Sequence, residues 1–104
     1  MAFTREEQRK IAHELLDMVL EINGYKEHPD GDRVPQAMFT IYGSTNGLET
    51  FVFRKGYDGK IAPEHQKVDF LPTLHFNTDD WKQVDTVREL LSRYLPEGKQ
   101  NEEV

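Results

Sequence analysis

Two apolar runs, Ala37-Met38-Phe39-Thr40-Ile41-Tyr42 and Leu48-Glu49-Thr50-Phe51-Val52-Phe53, meet across Asn46-Gly47. An Asn-Gly pair between β-prone runs is a strong hairpin signal, because both central positions of a type I′ turn need positive φ. A two-residue turn there sets Tyr42 opposite Phe51, Ile41 opposite Val52 and Thr40 opposite Phe53. One face of the hairpin then carries Met38, Tyr42, Phe51 and Phe53. The other carries Ala37, Phe39, Ile41, Leu48 and Val52. A hairpin that is apolar on both sides must be covered twice or must meet a partner.

The covering material comes from both ends of the chain. Thr4 and Glu7 have the spacing of a capping box, and Ile11, Leu15, Met18, Val19 and Ile22 then recur at helical period up to Asn23-Gly24. A second helix is predicted from Asn77 or Thr78 to Pro96. Asn77 is its expected cap, Phe76 and Trp81 a hydrophobic staple, and Asp79 and Asp80 lie at its positive end. Its apolar stripe is Trp81, Val84, Val87, Leu91, Tyr94 and Leu95. Between hairpin and second helix, Val68 to Phe76 reads as a third strand. Val68, Phe70, Leu74 and Phe76 fall on one parity, with Pro72 marking an edge or a bulge. His28-Pro29-Asp30-Gly31-Asp32 and Gly56-Tyr57-Asp58-Gly59-Lys60 are loop chemistry.

The expected fold is therefore an α+β, α-β-β-β-α two-layer sandwich, a three-stranded antiparallel sheet with two helices. It is expected to occupy residues 1–96, with a polar tail over 97–104. If both helices take one sheet face, the strand phases favour the side of Phe39, Ile41 and Val52. The face left over is worth roughly 6–12 kcal/mol if something covers it.

Composition narrows the function. The 104 residues hold 19 acidic and 13 basic side chains, a formal net charge of −6. That balance argues against direct binding to nucleic-acid phosphates. With no cysteine, thiolate catalysis and Cys-based zinc sites are excluded. The opening Met-Ala-Phe-Thr-Arg-Glu-Glu does not read as a secretory signal, and no apolar run nears the roughly eighteen residues of a membrane span. A cytoplasmic protein with no membrane partner is expected.

Catalytic and cofactor motifs are lacking. Ser44 and Ser92 sit in no nucleophile elbow. His28, Asp30 and Asp32, with Asp58, Glu64 and His65, match no metal-ligand spacing. Arg54-Lys55-Gly56-Tyr57 lacks phosphate-loop glycines. His13 and His75 have ordinary helix and strand settings. No enzyme, metal or cofactor is expected.

The element order resembles that of the double-stranded RNA-binding domain. Asp79 and Asp80 stand where that domain presents basic residues, and they would repel phosphates. Two expectations follow. The first is a small non-enzymatic interaction module that binds a protein or a second copy of itself through Met38, Tyr42, Phe51 and Phe53. The alternative is an acidic inhibitor or nucleic-acid mimic that fills the basic groove of a nucleic-acid-handling protein. There Glu14, Asp17 and Glu21, spaced three and four apart on one helical flank, would make the contact with Asp79 and Asp80.

Overall fold

The structure, a computed structural model, describes residues 3–24, 35–54, 56, 60, 65 and 67–95. The first helix, α1, spans Arg5–Asn23. Its capping box forms as the sequence predicts: Glu7 N–H donates to Thr4 Oγ1 (3.1 Å) and Thr4 N–H to Glu7 Oε1 (2.8 Å). Gly24 closes it at φ 68°, where a side chain would be strained, and donates to the Leu20 carbonyl.

Strands β1 (Gln36–Tyr42) and β2 (Gly47–Phe53) form the antiparallel hairpin. The turn is longer than two residues. Gly43 to Asn46 make a four-residue connection, and Tyr42 pairs with Gly47, Ile41 with Leu48 and Met38 with Phe51. Asn46 does take positive φ (51°), but Gly47 enters the strand. Gly47 has a different reason to lack a side chain. A Cβ there would stand 3.2 Å from the Leu74 carbonyl oxygen and 3.3 Å from Thr45 Oγ1. The pairing expected from a two-residue turn is thus displaced by four residues. Because that number is even, every side chain keeps its predicted face.

The third strand is divided. Val68–Phe70 is β3, Leu74–His75 is β4, and both pair antiparallel with β2, which is central in the sheet. Phe70 faces Phe51 and Leu74 faces Leu48. The chain therefore spends four steps where β2 spends three. This extra residue, at Leu71-Pro72-Thr73, acts as a bulge and reverses side-chain parity. Val68 and Phe70 lie on the face of Phe51 and Phe53, while Leu71, Leu74 and Phe76 are buried. The single parity predicted for Val68 to Phe76 is corrected accordingly. Leu71 N–H still donates to the Thr50 carbonyl (3.2 Å), so the ladder bends around Pro72.

The second helix, α2, covers Trp81–Ser92 and starts later than the sequence suggested. Asp79 is diverted to accept from His75 N–H (2.7 Å), which leaves Asp80 as cap. Lys82 N–H donates to Asp80 Oδ1 (2.8 Å), and Asp80 N–H to Gln83 Oε1 (2.9 Å). Trp81, now in the first turn, is half exposed rather than part of the buried stripe, and stands edge-on to Phe3 at 4.9 Å.

Both helices pack on the sheet face of Ala37, Phe39, Leu48 and Val52, in one core with Ile11, Leu15, Val84, Val87 and Leu91. Asn23 ties the end of α1 to the start of β1: Ala37 N–H donates to its Oδ1 (2.6 Å), and its Nδ2 donates to the Ala37 carbonyl (3.0 Å). Phe3 N–H donates to the Phe76 carbonyl and fixes the other end. Thr50 is fully buried on this inner face, and its hydroxyl has no hydrogen-bond partner among the described residues. Residues 97–104 lie outside the described residues.

Candidate functional site

Strand alternation sends Met38, Thr40 and Tyr42 of β1, Glu49, Phe51 and Phe53 of β2, and Val68 and Phe70 of β3 to the sheet face opposite the helices. The register aligns these side chains in rows across the strands. Met38, Phe51 and Phe70 form one row, and Phe53 and Val68 extend the next. The rings touch: Phe51 and Phe70 have centroids 5.5 Å apart, and Phe51 and Phe53 lie edge-on at 5.6 Å. Phe70 is 72% exposed, the most exposed large apolar side chain described. Met38 and Tyr42 are also exposed, while Phe51 and Phe53 are half-buried.

The structure thus brings together three of the four predicted apolar contact residues and separates the fourth. Tyr42 sits toward the hairpin turn, where its hydroxyl donates to Glu49 Oε1 (3.2 Å). That hydrogen bond, reinforced by the carboxylate's charge, raises the phenol's pKa above its ordinary value. Thr73 Oγ1 donates to the other oxygen of Glu49 (3.4 Å). The face therefore has an aromatic end and a polar end. Phe70 was missed as a contact residue, because without the bulge at Pro72 it shares a parity with the core residues Leu74 and Phe76. Pro72 itself was the available signal.

The acidic flank is less free than its spacing suggested. Arg88 of α2 reaches across to Glu14 with Nη2 at 2.7 Å and Nε at 2.9 Å from one oxygen, and holds Asp85 with its other amine. Glu14 is therefore paired with the neighbouring helix, although its one guanidinium is shared with a second carboxylate, Asp85. Asp17 is exposed and Glu21 half-buried. Asp79 and Asp80 are engaged in the backbone bonds that start α2, so these carboxylates already do structural work.

A second polar cluster lies at the inner edge of β3. Asp69, opposite Val52, points to the helix side, accepts from the Tyr94 hydroxyl and meets Arg54 Nε at 3.2 Å. Burial, followed by the hydrogen bond and charge of Asp69, pushes the Tyr94 phenol up to about 12. A phenol that holds its proton so firmly is a poor acid near neutral pH. The cluster borders a shallow cavity of about 280 Å³ lined by Phe70, Leu71, Leu90 and Arg93.

The remaining candidates stay apart. Ser92 Oγ donates to the Glu89 carbonyl within α2, and Ser44 is exposed in the turn. His13, His65 and His75 are exposed on different elements. Among the described residues no three His, Asp or Glu side chains gather as metal ligands would. His28, Asp30, Asp32, Asp58 and Glu64 lie outside the described residues. Among those described, no helix is long and apolar enough to cross a membrane. Comparison with known protein families, curated proteins and solved structures finds no match to this chain.

Proposed function

We propose that this is a small, acidic, non-enzymatic interaction module of the cytoplasm, binding a protein partner or a second copy of itself through the outer sheet face. The observation that carries the reading is the row Met38, Phe51 and Phe70, continuous across three strands and ending in a Phe that is 72% exposed. Aromatic residues and Met are favoured at interface centres, and polar groups at their rims. Here Phe53 and Val68 border the row on one side, while Tyr42, Glu49 and Thr73 form a polar margin on the other.

Sedimentation over a range of concentrations, together with capture of partners from the source cell, tests the reading against a Phe70→Thr variant. The wild type is expected to associate or to retain a partner, and the variant to bind at least about tenfold more weakly, the cost of losing roughly 1.4 kcal/mol. A strictly monomeric wild type that captures nothing and offers no dye-accessible apolar patch would overturn it.

A further inference from the structure

On the helix side of the sheet, the first half of α1 presents Arg5, Gln8, Arg9 and Ala12, whose spacings of three and four place them on one flank. With Ile41 at the end of β1, Asn46 in the turn and Phe76 after β4, they line a cavity of about 310 Å³. Ala12, Ile41 and Phe76 supply apolar surface, and two guanidinium groups lie beside it.

Two observations separate this wedge from ordinary surface. Ile41 points to the helix-covered side of β1 yet is 58% exposed, whereas Ala37, four residues earlier on that side, is 2% exposed. The helix covers the start of the strand, where Asn23 clamps it, and leaves the far end open. The second observation is electrostatic. Among the described residues, Arg54 is met by Asp69, Arg88 by Glu14 and Asp85, and Arg93 by Glu89. Arg5 and Arg9 meet no carboxylate among those residues. In a chain of net charge −6, two adjacent cations without an acid leave a localised positive site at the mouth of an apolar cleft.

We propose that this wedge binds a small amphipathic carboxylate, its anionic head held by Arg5 and Arg9 and its apolar body laid against Ala12, Ile41 and Phe76. Guanidinium groups match the planar, bidentate geometry of a carboxylate. A volume near the lower end of the small-ligand range suits a short alkyl or single-ring body better than a polypeptide. The wedge lies on the side of the sheet away from the Phe70 row, so its occupancy is independent of the interaction proposed there.

The test is a titration of isotopically labelled protein with octanoate, followed by amide chemical shifts. Octanol supplies the same body without charge, and inorganic phosphate supplies charge without the body. Octanoate is expected to move the amides of Arg5, Gln8, Arg9, Ala12, Ile41 and Asn46, and to bind at least about tenfold more tightly than either control. The Arg5→Gln/Arg9→Gln double variant is expected to lose at least about tenfold in affinity while the rest of its spectrum is unchanged, both side chains being exposed. Ile41→Ser removes the apolar contact instead and is expected to weaken octanoate without creating phosphate binding. Shifts confined to Phe51 and Phe70, undiminished binding by the double variant, or no shift at millimolar octanoate would each overturn the proposal.

Discussion

Leu48 and Phe51 stand three residues apart on β2, one on each face of the sheet, and their surroundings differ in kind. Leu48 is fully buried among side chains from both helices. Phe51 is half-buried, and its ring packs against Phe53 and Phe70 from the same sheet. Both faces are built from large apolar side chains, so hydrophobicity alone does not say which is core. What decides is where the helices can sit, and both lie over the parity of Ala37, Leu48 and Val52. The difference teaches that one residue type can secure the fold on one side of a strand and remain available for binding on the other.

The sharpest way to break the comparison is Leu48→Ala. A fully buried Leu leaves a cavity when truncated, and the loss is expected at about 2–5 kcal/mol in denaturant unfolding. If Phe70→Thr, which keeps a β-prone residue, costs as much, the two faces are equivalent and the outer one is core. The expectation for Phe70→Thr is a change within about 0.5 kcal/mol.

Between these extremes lies Thr50→Val. The Thr50 hydroxyl is buried on the inner face without a partner among the described residues, so replacing it with a methyl of similar shape is expected to stabilise by about 1 kcal/mol. A destabilised variant would mean the hydroxyl has a partner after all.

A smaller effect concerns the edge where the layers meet. Tyr94 keeps its proton up to about 12 when folded, against roughly 10 for an unperturbed phenol. Between those values the folded state binds more protons than the unfolded one. Its contribution is therefore complete below about pH 10 and is lost as pH rises through about 12. Unfolding measured at steps across that window should show a shallower decline for Tyr94→Phe than for wild type. Identical slopes would remove Tyr94 as the cause.

Much of this division was legible in the sequence, for a reason visible in the hairpin. A two-residue turn at Asn46-Gly47 gives the wrong partners, yet the displacement is even, so Met38, Phe51 and Phe53 were still assigned to the correct face. The capping box at Thr4 and Glu7 needs only local bonds, and α1 formed where its spacing indicated. At the edge formed by β3 and β4, Pro72 signalled an edge or a bulge, but the face assignments were not legible, because one extra residue there reverses every assignment beyond it. The start of α2 was ambiguous for another reason. Asn77, Thr78, Asp79 and Asp80 can all cap a helix, but Asn77 accepts from Asn46 across the fold and Asp79 from the His75 N–H, which leaves Asp80 as cap. The wedge beside Arg5 and Arg9 depends on how far α1 extends over β1, which no periodicity encodes.

The break at Leu71-Pro72-Thr73 also makes the two margins of the sheet unequal as templates. On that side, a strand arriving from another chain would find a ladder that changes phase midway and lacks one donor at Pro72. On the opposite side, β1 runs unbroken for seven residues, but Asn23 already holds the outward N–H and C=O of Ala37. Among the described residues, growth of the sheet between molecules, in crowded conditions or during misfolding, would therefore start from the turn end of β1, beyond that clamp.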